Sequence, residues 1–165
     1  MKTPIILFCL LFCGSLLAQK KMSTDDNKAL LKKFYADVFE KGNPDAAVNY
    51  IAKDAVDHQG MPGQKAGLEG IIEFFKLMHA AYPELKVTVD DMIAEGDKVV
   101  ATMTMKGVNK GPFMGTPASN KEITMKFIDI VKFKDGKMTE HWGYGNDMEV
   151  MAQMGMVPMP IQEKK

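Results

Sequence analysis

The chain has 165 residues with 21 basic and 21 acidic side chains, so it is formally neutral, and 46% of it is hydrophobic. That length suits one domain, and the charge balance excludes the basic footprint of nucleic-acid or anionic-membrane binding. All the basic residues are lysine; without arginine, the bidentate clamp favoured by phosphate and carboxylate ligands is missing.

The first elements concern export. Lys2 precedes an apolar run from Ile5 to Leu17 that ends at Leu16-Leu17-Ala18. This is the pattern of a signal peptide over residues 1–18, too short to span a bilayer, with cleavage near Ala18–Gln19. The expected location is therefore periplasmic or secreted, with no membrane partner after cleavage. A lipoprotein anchored at Cys13 is the weaker alternative, because Phe12 is bulky where a small residue is needed. Both cysteines, Cys9 and Cys13, fall in this segment. Residues 19–165 then form a single cysteine-free domain without disulfides, thiol catalysis or Cys-ligated zinc.

Ser23 to Asp26 offer a cap, and Leu30, Leu31, Phe34, Tyr35 and Val38 recur at helical spacing until Gly42-Asn43-Pro44. Asn43 and Pro44 predict the start of a second, short helix through Ala47, Val48 and Ile51. The Gly-rich loop H-Q-G-M-P-G-Q-K-A-G follows, and a third helix carries Leu68, Ile71, Ile72, Phe75, Met78 and Tyr82 up to Pro83. From Lys86 the period changes to two: Val87, Val89 and Ile93, then Val99 to Met105, then Ile123 to Phe133. Helices first and an antiparallel meander second predict an α+β domain.

Lys134-Asp135-Gly136-Lys137 is a two-residue hairpin signal. Pairing outward from it sets Phe133 against Met138, Val131 against Glu140, Asp129 against Trp142 and Phe127 against Tyr144. Opposed residues share a face, so this register gathers Asp129, Glu140, Trp142, Tyr144 and Asn146 among Met125, Phe127, Val131 and Phe133. His141, Gly143 and Asp147 fall on the other face. A carboxylate on an apolar face is suited to proton transfer near neutral pH; equally, Asp129 is explained as a sheet-margin group satisfied by Trp142 or Tyr144. His141 reads as a structural or interface residue, His79 as a core-edge histidine, and His58 as a pocket candidate. Three scattered histidines lack metal-ligand spacing. Met148, Met151 and Met154 repeat every three residues, where packing is a more economical explanation than Cu(I) ligation.

Three stretches carry a resemblance: D-H-Q-G-M-P-G-Q-K-A-G-L-E-G-I-I-E-F-F, G-P-F-M-G-T-P-A-S-N-K and I-D-I-V-K-F-K-D-G-K-M-T-E-H-W. Over about residues 24–156 the chain resembles the SnoaL-like polyketide cyclase, or ester cyclase, family. The resemblance implies an NTF2-like α+β cone, a curved antiparallel sheet wrapped around three or four helices with a pocket inside, that often dimerises through its outer sheet face. It also implies ring closure by intramolecular aldol condensation, with no metal or organic cofactor and with an acid a few residues after the E-H-W tryptophan as general acid/base. The fourth residue after Trp142 is Asn146, which cannot exchange a proton at neutral pH. Asp129 or Asp147 would have to act instead.

The expected catalytic residues are thus Asp129 and Asp147. A hydrophobic small molecule would lie against His58, Phe113, Glu140, Trp142, Tyr144, Asn146 and Tyr35, with Tyr144, Asn146 and His58 stabilising an oxyanion. The competing expectation is a secreted module that binds such a molecule without transforming it.

Overall fold

The computed structural model describes residues 22–158. The expected signal segment over 1–18, with Cys9 and Cys13, lies outside the described residues, as does the tail beyond 158.

Helix α1 spans Thr24–Tyr35 and starts on a capping box: Ser23 Oγ accepts from the Asp26 backbone N–H at 3.1 Å, while the Asp26 carboxylate accepts from the Ser23 backbone N–H at 3.0 Å. It buries Leu31, Phe34 and Tyr35. A π-helical turn over Ala36–Glu40 continues it, the kind of local widening that often accompanies a functional site. Pro44–Asn49 forms a short 3-10 helix, which Asn43 does not cap through its side chain. The predicted second helix ends there. Ile51 instead opens strand β1, Ile51–Asp57.

Helix α2 (Gly67–Ala81) leads into β2 (Lys86–Glu95), β3 (Lys98–Val108), β4 (Glu122–Lys134), β5 (Lys137–Gly145) and α3 (Asp147–Met154). The five strands form one open, curved sheet in the order β1-β5-β4-β3-β2, antiparallel except where β1 joins β5 in parallel. Helix α1 packs against β2 and β3 and α2 against β1, so both cover the inner face. Val99, Ala101, Met103 and Met105 of β3 and Ile123, Met125, Val131 and Phe133 of β4 alternate inward into this core. Removing such a side chain, as in Leu31→Ala, costs about 2–5 kcal/mol.

The hairpin forms as expected at its tip. Lys134 pairs with Lys137 and Phe133 with Met138, with Asp135 (φ 51°) and Gly136 (φ 75°) in the left-handed region that a tight I′ turn requires. One residue later the predicted register fails. Thr139 is a bulge: Lys132 pairs with Glu140, Val131 with His141, Ile130 with Trp142 and Asp129 with Gly143. The Thr139 hydroxyl donates to the Lys132 carbonyl at 3.2 Å and occupies it locally. An extra residue reverses every later side chain. His141 therefore turns inward, whereas Trp142 and Tyr144, expected inside, turn outward.

Candidate active site

Strand β4 alternates without interruption, so Asp129 faces the interior with 6% exposure. Tyr35, the last residue of α1, reaches it across the core and donates its hydroxyl to Asp129 Oδ2 at 2.6 Å. From β5, His141 Nε2 stands 2.6 Å from Asp129 Oδ1. That contact is an ion pair lying off the imidazole N–H axis, so Oδ1 is buried yet receives no aligned hydrogen bond. On the other side of the ring, His141 Nδ1 meets Asp57 Oδ1 at 2.9 Å. Asp57 ends β1, and the loop after it folds back to hold it: the Gln59 backbone N–H donates at 3.1 Å and Gln64 Nε2 at 3.3 Å. Four groups from four elements thus form one chain, Tyr35–Asp129–His141–Asp57.

Burial alone would lower the His141 pKa, but Asp129 and Asp57 outweigh it and push His141 up to about 10. Around neutral pH the ring is therefore an imidazolium between two carboxylates. Burial tends to raise Asp57, and its hydrogen bond and charge interaction with His141 more than reverse this, leaving it below its usual range. Tyr35 is held well above the usual phenol range by burial and by the Asp129 charge, and so stays a neutral donor.

This chain of groups closes the polar end of a cavity of about 120 Å³. The remaining wall is apolar. Phe34, Phe39, Phe74 and Phe75 supply rings from the helical side and Phe127 one from the sheet, with Phe39 and Phe75 edge-to-face at 5.1 Å. Gly143 and Gly145 make room for Phe127: a Cβ on Gly143 would lie 2.5 Å from its Cζ, and one on Gly145 3.1 Å from its Cδ2.

Of the expected site residues, Tyr35 and Asp129 meet in this cavity. Glu140 reaches its rim, but its carboxylate binds Lys132 Nζ at 2.8 Å and His58 Nε2 at 3.1 Å. His58 stacks on Trp142 on the outer face, with ring centroids 4.3 Å apart and planes 3° from parallel, and Lys98 lies 5.3 Å from the centre of the same indole. Tyr144 is 52% exposed. Asn146 accepts from the Lys126 backbone N–H and donates to Glu149, each at 2.8 Å, at the junction of β5 and α3. Asp147 begins α3 in solvent. Phe113 packs on Tyr82 at 5.6 Å, away from the cavity.

Asp57 and His141 were not among the expected site residues. Their signals were a carboxylate just before the Gly-rich loop and the histidine of E-H-W. Among the described residues, no cluster of three or more His, Cys, Asp or Glu could hold a metal ion.

The sequence model of the SnoaL-like polyketide cyclase family matches residues 29–154. The chain belongs to this family. Among solved structures, TsrD from Streptomyces laurentii is 27% identical with a TM-score of 0.76, over 82% of this chain and 99% of its own. A protein of Acidithiobacillus ferrooxidans proposed to be a polyketide cyclase is also 27% identical, with a TM-score of 0.70 over 81% and 98%. IdmH from Streptomyces antibioticus is 26% identical, with a TM-score of 0.66 over 78% and 97%. No curated protein matches the chain. The cone expected from the resemblance is thus the fold this family member adopts, with its sheet open rather than closed.

Proposed function

We propose that this SnoaL-like protein is an exported, cofactor-free cyclase or isomerase that moves a proton at a carbon next to a carbonyl. The observation that carries the reading is the 2.6 Å contact between a buried carboxylate oxygen without an aligned donor and an imidazolium. Tyr35 occupies Asp129 Oδ2, which leaves Oδ1 as the base. Asp129 removes the proton from carbon, and the enolate carbon attacks a second carbonyl to form the new C–C bond. The resulting alkoxide takes a proton from His141 Nε2. Asp129 then returns its proton to His141 across the same contact, so no external acid, base or oxidant is consumed. In an isomerisation the enolate is instead reprotonated elsewhere on the same substrate.

The expected catalytic pair Asp129 and Asp147 is thereby replaced by Asp129 and His141. The oxyanion role foreseen for Tyr144, Asn146 and His58 passes to His141 alone, because the other three lie off the cavity. Deuterium exchange at the α-carbons of cyclohexanone in D2O, followed by NMR, tests the reading without knowledge of the natural substrate. Catalysis by the wild type that is lost in Asp129→Asn and His141→Gln but kept in Asp147→Asn supports it. Exchange unaffected by Asp129→Asn would refute it. A ligand that binds in the cavity and emerges unexchanged would favour the purely binding role.

A further inference from the structure

The geometry points to a substrate much smaller than a fused polycycle: an uncharged compound of about one six-membered ring, presenting a hydroxyl or an acidic C–H to Asp129 Oδ1. This deepens the proposed proton-transfer reading and rests on it for the C–H case.

Size comes first. The cavity holds about 120 Å³, and an apolar cavity of roughly 150 Å³ takes up benzene. A second fused ring would exceed that volume, so it would have to project through the cavity mouth or displace wall side chains. The wall resists such displacement because its rings already support one another. Phe75 contacts Phe39 at 5.1 Å, Phe34 at 5.8 Å and Phe74 at 6.0 Å, and close-packed aromatic walls yield only at the cost of their mutual contacts.

Charge comes second. The polar end of the cavity carries Asp57 and Asp129 around one imidazolium, and no lysine lines it. The nearby ammonium of Lys132 is tied to Glu140 at 2.8 Å on the outer face, and the chain has no arginine. An anionic ligand would have to shed its hydration while facing a site of net negative charge. That argues against free acids and phosphate-bearing carriers.

Hydrogen bonding comes third. Tyr35 spends its proton on Asp129 Oδ2 and His141 Nδ1 spends its own on Asp57. Two polar groups are left without an aligned partner, the acceptor Asp129 Oδ1 and the donor His141 Nε2–H beside it. A ligand is therefore selected for a group at the end of its ring that donates to Oδ1 and accepts from Nε2–H, as a hydroxyl does.

The test is a titration series read by calorimetry at pH 7 with phenol, benzoate, 2-naphthol and 2-anthrol, on wild type and on Asp129→Asn, Phe39→Ala and Phe39→Leu. Phenol should bind the wild type at least about tenfold more tightly than benzoate or 2-naphthol, and 2-anthrol should show no binding. Asp129→Asn should weaken phenol about tenfold, and either Phe39 variant that folds should narrow the gap between phenol and 2-naphthol. The size assignment is overturned if 2-naphthol or 2-anthrol binds the wild type as tightly as phenol, and the charge assignment if benzoate does. Phenol affinity unchanged in Asp129→Asn overturns the placement. These outcomes are independent of turnover: lost selectivity alongside Asp129-dependent exchange sinks only the size and charge claim, whereas retained selectivity without exchange sinks only the catalytic one.

Discussion

His141 and Trp142 are neighbours in β5, yet they belong to different chemical worlds. His141 enters a cavity walled by phenylalanines, where two carboxylates push its pKa up to about 10. Trp142 faces outward in a solvated stack with His58, Glu140, Lys132 and Lys98. The outer cluster has as many charges as the inner one, and its geometry is as regular. The two differ in how deeply their carboxylates lie: the Asp129 and Asp57 side chains are 8% and 16% exposed, against 27% for Glu140, so water screens the outer charges more. A single extra residue, Thr139, determines which group of side chains receives which environment.

The largest expected effect breaks the inner side of this comparison. Asp129→Asn should lower the rate of α-carbon exchange about 10²- to 10⁴-fold, the usual range for losing a positioned general base, whereas Trp142→Ala should leave it within about threefold. Parallel NMR exchange assays on the two variants check this.

Deleting Thr139 exchanges the two faces. The even register would drive the indole toward the cavity and the imidazole out, so exchange activity should be lost and the melting temperature lowered. Trp142 is the chain's one tryptophan, so its fluorescence reports the change. Emission from the half-buried outer position should be quenched by iodide in the wild type and shift to the blue in any folded fraction of the deletion.

pH sharpens the comparison further. His141 has its pKa raised in the folded state, from 6.5 to about 10. Its contribution to stability is therefore full below about pH 6.5 and is lost as pH rises toward about 10, because the folded state holds a proton the unfolded state has released. Urea unfolding between pH 6 and 10 should show this downward slope, and His141→Gln should flatten it. The alkaline limb of activity should also fall near pH 10. Asp57→Asn, which removes one of the two supporting carboxylates, should move that limb to lower pH. The smallest effect belongs to the outer face, where His58→Ala should leave exchange within about twofold.

Much of this architecture was legible in the sequence. The capping residues Ser23 and Asp26, the Asp135-Gly136 turn and the inward alternation of β4 all follow from local rules, and the structure has each of them. The family resemblance supplied the cone, which no local pattern specifies. Strand β1 was obscured because only two of its seven residues, Ile51 and Ala55, are buried. A short parallel strand shows neither clean alternation nor an apolar run.

The bulge was hidden for a different reason. Thr139 has no left-handed backbone and no glycine to announce it, so turn chemistry gave no warning. The available signal lay across the strand pair. Gly143 and Gly145, two apart, mark the places where β5 gives way to Phe127, and a face that receives a large ring from its neighbour is the inner one. Lys132 opposite Glu140 is a second hint, since opposed charges suit a solvated face. That same shift of one residue moved the proposed oxyanion role from Tyr144 and Asn146 to His141.

The central claim is that Asp129 and His141 form a charge pair at the polar end of the cavity, with the carboxylate buried. A 15N-edited NMR titration of the histidine rings from pH 5 to 11, on wild type and Asp129→Asn, tests it most directly. The account predicts a His141 ring that stays protonated until about pH 10 in the wild type and loses its proton at lower pH in the variant. A His141 that titrates near its ordinary 6.5 in both proteins would contradict it.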